Sequence, residues 1–432
     1  MLQKIIALLL LPALLCGCVA APVQPEEPVT TPVVEEMENM ENMEKEEMEG
    51  MEKTEGLPIM AAPAAGAAVD FDFTLLREAL KAEKTNTVLS PTSAYLCLAL
   101  MMNGADGETL REAEAVMGGT LSEVNARCKA LAAALAKTAG STQLAIANSA
   151  WVDAKKVALD ADYQKRIEAE LAAEVFAADL PTKAAMDAIN QWVSDNTRGM
   201  IPVTLTAPLD ASAAAALFNT VYFKGKWEKP FQDYGTFDSV FHKADGTEVT
   251  APFMNGSGRH DYINDEGVEG VVLPYDDGET VFVALRPTNG TDARAFAAQL
   301  TAKRLADYMQ KAERTDIYFH MPKYTVTFDI TMNDALKAMG LETMFDSRAD
   351  LSGVGVPVAE PLYVSTVFQK VKVIVDEQGT EAAAVTGMMM NAMAAAPAPK
   401  PTLDLDSPFV YAVVDKQSGA PLFVGVLDDP AA

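Results

Sequence analysis

The stretch from Val371 to Pro401 constrains this chain most. A strand-like run, Val371 to Val375, leads into Asp376-Glu377-Gln378-Gly379-Thr380-Glu381-Ala382-Ala383-Ala384-Val385-Thr386. Gly387, three methionines, Asn391, Ala392, Met393 and three alanines follow. No proline interrupts positions 380–396; the next three fall at 397, 399 and 401. At a period of two, Thr380, Ala382, Ala384, Thr386, Met388, Met390 and Ala392 share one uncharged face. The opposite face carries Glu381, Ala383, Val385, Gly387, Met389 and Asn391. That alternation suits a strand with one buried and one solvated face. Alanine and glycine are nevertheless poor strand formers, so the run would not hold a strand unaided. With no proline to forbid a central position, it can be an exposed loop in one state and an inserted strand in another. A flexible Ala/Met linker, or a helix through 381–386, fits the composition as well.

The surrounding chain reads as one large α+β domain from about residue 68. Phe71, Leu75, Leu76 and Leu80 mark a first amphipathic helix, and Ser90-Pro91 opens a second, with Ser90 as cap and Pro91 at the first helical position. Residues 121–137 and 183–197 also show helical spacing. Strand-like runs follow at 217–223, 268–273, 281–285, 317–319, 323–329, 362–375, 409–414 and 422–427. Early helices followed by irregularly spaced strands argue against a repeating βαβ fold. Cys97 and Cys128 both fall in helical patterns; buried free thiols or one disulfide are the two readings, and their spacing gives no metal motif.

Catalytic chemistry finds little support. The three histidines, His242, His260 and His320, sit beside no obvious nucleophile. Gly256-Ser257-Gly258 follows Asn255, misses the nucleophile-elbow pattern and reads as a polar loop. No zinc-protease motif or phosphate-cradling glycine loop occurs, so no metal or cofactor is expected. A net charge of −27 argues against nucleic acid, whose binding needs clustered Lys and Arg.

The N-terminus has the features of a targeting segment. Lys4 precedes an apolar core from Ile5 to Leu15, too short to span a membrane and stay. It ends in Leu15-Cys16-Gly17-Cys18, which resembles a bacterial lipobox, where the chain is cut before a cysteine that is then lipidated. Cys18 fits better than Cys16 because Gly17 is the small residue required before the cut. A cleaved secretory signal with two incidental cysteines is the plainer alternative. Prolines at 22, 25, 28 and 32, and twelve Glu against two Lys over 26–55, then describe a solvated tether. About fifty flexible residues give it an end-to-end distance of roughly 40 Å.

Several segments together carry a family resemblance. Glu377-x-Gly379-Thr380-Glu381-Ala382-Ala383-Ala384 resembles the reactive-loop hinge of serpins. Phe218-Asn219-Thr220-Val221-Tyr222-Phe223-Lys224-Gly225-Lys226-Trp227-Glu228-Lys229-Pro230-Phe231 is similar to the family's signature at the top of its central sheet. Leu89-Ser90-Pro91-Thr92-Ser93 resembles the start of its second helix. Met321-Pro322-Lys323-Tyr324, Ala349-Asp350-Leu351-Ser352-Gly353, Ser407-Pro408-Phe409 and Pro421-Leu422-Phe423-Val424-Gly425 match further segments, all in family order across residues 70–427.

The resemblance implies an α+β serpin fold, about nine helices around three β-sheets with an exposed reactive-centre loop at about 377–407. The division is then a lipoprotein signal peptide over 1–17, a tether over 18–67 and the domain over 68–432. It implies a monomeric suicide inhibitor, not an enzyme, whose partner is a serine protease held as a covalent acyl complex. Membrane contact would come through the lipid on Cys18 alone. The hinge would comprise Glu377, Gly379, Thr380, Glu381, Ala382, Ala383, Ala384 and Thr386, with Trp227 at the top of the central sheet. Sheet opening would be gated by Ser90, Ser93, Asn219 and Gln369, where many members carry a His in place of Gln369. The family's spacing puts the cleaved bond sixteen residues after Glu377, at Met393-Ala394, with Met388, Met389 or a nearby Ala as alternatives. No Lys or Arg occurs from 378 to 399, which points to elastase-, chymotrypsin- or subtilisin-like targets. A serpin-fold binding protein cleaved as a plain substrate, and an unrelated lipoprotein hydrolase, are the competing readings.

Overall fold

The computed structural model describes residues 70–135, 143–171, 173–358, 361–380 and 400–432. The segments expected to be a signal peptide and a tether, with Cys18, and Glu381, Ala382, Ala383, Ala384, Thr386, Met393 and Ala394 lie outside the described residues.

Among the described residues are nine α-helices: α1 (Phe71–Ala82), α2 (Pro91–Met102), α3 (Gly107–Met117), α4 (Leu121–Leu135), α5 (Ala161–Leu171), α6 (Lys183–Asn196), α7 (Ala293–Ala297), α8 (Ala302–Gln310) and α9 (Asn333–Ala338). All twelve residues of α2 are buried, so it is apolar on every side and runs through the core. Pro91 occupies its first turn as the sequence predicts, but the Ser90 hydroxyl makes no cap hydrogen bond. The Ser90 backbone is engaged with Gln369 instead.

The described strands form three sheets, and this helix packs on strands of the two larger ones. A six-stranded sheet runs in the order β11 (Tyr324–Thr331), β13 (Val364–Val375), β5 (Ala215–Lys226), β2 (Gln143–Asp153) and β4 (Glu174–Ala178), with β14 (Gly379–Thr380) also on β5. A nine-stranded sheet runs β1 (Thr87–Leu89), β17 (Pro421–Leu427), β16 (Phe409–Asp415), β9 (Thr280–Pro287), β8 (Val268–Pro274), β7 (Glu248–Asp265), β10 (Glu313–Pro322) and β15 (Thr402–Asp404), with β6 (Thr236–His242) on β7. The third pairs β3 (Val157–Leu159) with β12 (Gly355–Pro357).

Odd residues of β5, Ala215, Leu217, Val221 and Phe223, join the main core with α2. Even residues Ala216 and Phe218 join a smaller cluster with Trp151, Ile189, Trp192 and Val193, so α6 covers the other face of that sheet. The central pair is parallel. β13 runs beside β5 from Val364↔Ala215 to Val371↔Val221, seven pairs, and then the two strands part. Above that point β13 continues on β11 as far as Val375↔Tyr324, and β5 continues on β2.

One expectation is corrected. Gly256-Ser257-Gly258 is not a loop but the middle of the eighteen-residue β7, paired with Phe319, Tyr318 and Ile317 of β10. A Cβ on Gly256 would come within 2.3 Å of the Phe319 ring, so glycine there lets the ring lie against the strand. Within the expected loop of 377–407, Gly379–Thr380 pairs with Lys226 and Gly225, and Thr402–Asp404 pairs with β10. Cys97 and Cys128 are free and buried. Burial pushes the Cys128 thiol up to about 12. No helix among the described residues is long and apolar enough to cross a membrane.

Candidate functional site: hinge and sheet-opening cluster

Two sets of residues meet along the β5–β13 seam. Where the strands are still paired, Asn219 lies opposite Gln369. The Gln369 amide uses every atom. Its Oε1 accepts from Ser90 N–H (3.0 Å), and its Nε2 donates to Ser90 C=O (2.9 Å) and to Asn219 Oδ1 (2.7 Å). Asn219 Nδ2 donates to Ser93 C=O (3.0 Å), the Ser93 hydroxyl and Asn148 Oδ1 (2.5 Å). Ser90, Ser93 and Gln369 are wholly buried, and Asn148 and Asn219 nearly so. Buried polar groups are costly unless paired, and these bonds tie the start of α2 to both central strands. The four residues predicted from sequence are therefore brought together. Asn148, on β2, was missed; its only sequence signal is a polar residue in the Ala-rich run Leu144–Ala150. The Ser90 hydroxyl is buried without a partner among the described residues.

Above the split, the chain leaves β13 and folds back. Asp376 and Gly379 form an antiparallel bridge, and Gly379–Thr380 then runs antiparallel to β5. Gly379 has φ +151°, and a Cβ there would meet the Gly225 carbonyl oxygen at 2.0 Å, so only glycine allows the approach. The corner after β5 grips the turn from below. Trp227 N–H donates to Gln378 C=O (2.8 Å), Phe231 N–H donates to Glu377 C=O (2.7 Å), and the Trp227 indole N–H donates to Asp376 C=O (2.9 Å). Trp227 is itself fixed by stacking on Tyr275 at 4.7 Å. The Glu377 carboxylate accepts from Thr236 Oγ1 (2.9 Å) and from Lys323 Nζ (2.7 Å). Burial pushes the Glu377 carboxyl up, but the Lys323 contact and the hydrogen bonds outweigh it and hold it below its ordinary value. Burial raises Asp376.

At the far end of the loop, β15 pairs with β10 over only Thr402, Leu403 and Asp404, in parallel. The Lys400–Asp316 (2.6 Å) and His320–Asp404 (2.8 Å) contacts flank it. Chemically, this arrangement can admit a strand. A short antiparallel start already sits at the mouth of a seam whose remaining ladder is a single parallel pair of strands.

The family model for Serpin (serine protease inhibitor) matches residues 66–430. Serpin-Z1B of Triticum aestivum is 32% identical over 367 residues, 81% of this chain and 91% of the relative. A serine protease inhibitor of Cyanea capillata is 30% identical over 386 residues, covering 87% and 99%. Among solved structures, the native state of the thermophilic serpin tengpin superposes with a TM-score of 0.78 at 30% identity, over 83% of this chain and 92% of that one. The fold, the seam and its buried cluster of Ser90, Ser93, Asn219 and Gln369 thus occur in a chain matched over nearly its whole domain, and the protein belongs to the serpin family of serine protease inhibitors.

Proposed function

We propose that the chain is a suicide inhibitor that traps a serine protease by inserting its cleaved reactive loop between β5 and β13. The observation that carries this is the register of β14. Gly379↔Lys226 and Thr380↔Gly225, continued residue by residue, bring Ala382 opposite Phe223, Ala384 opposite Val221 and Thr386 opposite Asn219. The Asp376↔Gly379 bridge, continued on the other side, brings Thr386 opposite Gln369. The two counts agree with the observed Asn219↔Gln369 pair. Cross-strand partners share a face, so Thr380, Ala382, Ala384 and Thr386 would enter on the α2 side, where small uncharged groups are needed. The Thr386 hydroxyl would arrive in the layer where the Ser90 hydroxyl lacks a partner. Insertion exchanges one parallel ladder for two antiparallel ones, the slightly more stable pairing.

In this reading the protease serine Oγ attacks the Met393 carbonyl. An ester forms, the Met393–Ala394 bond breaks and the leaving amine of Ala394 takes a proton. Loop insertion then carries the acyl-enzyme away before water hydrolyses the ester. The target is elastase-, chymotrypsin- or subtilisin-like, because the loop offers no Lys or Arg before Lys400. The inhibitor acts as a monomer without cofactor or nucleic acid. Lipid on Cys18 and the acidic tether hold it at the cell envelope or outer surface. The test is to mix the protein with elastase, chymotrypsin and subtilisin and run denaturing gels. An adduct near the summed masses, with the cut at Met393–Ala394, is expected. Clean cleavage by all three without an adduct would refute trapping and leave a serpin cleaved as a substrate.

A further inference from the structure

Behind the corner that grips the hinge lies a cavity of about 270 Å³, between the Trp227–Gln232 corner, the middle of β7, the end of β8 and β10. This volume is at the lower edge of the roughly 300–1,000 Å³ range of small-molecule sites. Its inner wall is aromatic: Phe231 and Phe319 pack edge to face at 5.4 Å, and the His260 ring meets Phe319 at 4.9 Å. The Gly256-Ser257-Gly258 segment, unused by the inhibitory machinery, forms one side. Its glycine at 256 is what lets Phe319 occupy the wall.

The lining is positive in a chain of net charge −27. Lys229, Arg259 and Arg314 line it, beside the His260 ring, against the single acid Glu228. Arg314 is paired with Asp261 at 3.3 Å, whereas Lys229 and Arg259 make no ion pair among the described residues. Burial, then the charges of Arg314 and Lys229, hold His260 below its ordinary value. An apolar wall beside unpaired bases suits a ligand with a flat ring and one anionic group.

We propose that this cavity binds a small aromatic carboxylate, its ring against Phe231 and Phe319 and its carboxylate on Lys229 and Arg259, and that occupancy holds the hinge in place. Trp227 and Phe231 are both cavity walls and the donors to the Gln378 and Glu377 carbonyls. A ligand that binds the form with these bonds made shifts the population toward it. It therefore opposes loop insertion; this last consequence alone rests on the inhibitory reading.

The test is calorimetric titration of the protein with 2-naphthoate and with its neutral analogue 2-naphthylmethanol, alongside amide exchange by mass spectrometry. One-to-one binding of 2-naphthoate is expected, about tenfold weaker for the alcohol and for Lys229→Gln or Arg259→Gln, since each loses a charge-assisted contact. Arg111→Gln, remote from the cavity, should bind as the parent does. Exchange at 226–231 and 376–380 should slow on binding. No saturable binding, or equal binding of acid and alcohol, overturns the site. Binding without slower exchange overturns the coupling. Neither readout measures inhibition of a serine protease, so failure of the inhibitory reading leaves both outcomes interpretable.

Discussion

Replacing Thr386 with arginine tests the insertion register most sharply. The proposed register would place this side chain between Asn219 and Gln369, above Ser90 and Ser93, in a layer closed to solvent. Each of those polar groups except the Ser90 hydroxyl is already engaged, and none is a carboxylate. A guanidinium there would be buried and unpaired, a penalty of several kcal/mol. If about half of a roughly 4 kcal/mol cost is felt at the barrier to insertion, that step slows about 30-fold, while ester hydrolysis by the protease is untouched. The assay is densitometry of the trapped adduct against cleaved, released chain after reaction with chymotrypsin or elastase. The cleaved-to-trapped ratio should rise about 30-fold for Thr386→Arg. Glu381→Gln serves as control, because its position falls opposite Lys224 and Ile374, both only partly buried, and should move the ratio by less than about threefold. A ratio for Thr386→Arg within about twofold of the parent would refute both the register and the buried face.

Three further outcomes are expected. Gln369→Leu leaves the Ser90 N–H and Asn219 Oδ1 short of a partner, while the Ser90 C=O keeps the Ala94 N–H, at about 1–3 kcal/mol for each group that finds no other; the thermal midpoint should fall, and fall less for Gln369→His, which keeps a donor and an acceptor. A midpoint unchanged in Gln369→Leu would sink the gating role. Burial pushes Asp72 up to about 6, with Arg127 offsetting only part of the shift. Because the folded-state value is raised, its contribution is fully present below about pH 4 and lost as pH rises through about 6. Asp72→Asn should therefore match the parent in acid and exceed it above pH 6 by up to about 3 kcal/mol; parallel pH profiles in thermal melts would contradict this. Oxidising Met393 to its sulfoxide makes the residue before the proposed cut polar and should slow inhibition. An unchanged rate, with complete oxidation at Met393 verified by mass spectrometry, would move the cut elsewhere.

Much of this was legible in the sequence, for physical reasons that differ by element. The strands β5, β9, β16 and β17 are largely runs of apolar residues, and burial on both faces is written into them, whereas β13 alternates buried and half-buried positions. The gating residues were reached through resemblance, since Ser90, Ser93, Asn219 and Gln369 are spread over nearly 280 positions and only the closed sheet brings them together. β2 was missed because Ala145, Ala147 and Ala150 lack the bulk that marks a strand. β7 was missed because Asn255-Gly256-Ser257-Gly258 interrupts its alternation. Gly256 serves the Phe319 ring across the ladder, a contact visible only in three dimensions. Helices α3 and α5 were also passed over; only four residues of the first and two of the second are buried, so the apolar stripe that signals a helix is thin.

The three-residue clasp of β15 on β10 has a consequence for how long the inhibitor keeps. The chain between Thr380 and Thr402 is moored at both ends, to different sheets. While both moorings hold, the intact loop can enter the seam only as far as its slack allows. If the loop inserts as proposed, a cut between them would free the upstream half to travel the full length of β5. Slow release of the downstream mooring would then free the same half without any cut and exhaust the molecule silently. On that reading the Lys400–Asp316 and His320–Asp404 contacts would act as a timekeeper: the grip of a short edge strand would set how long the molecule waits for its one encounter.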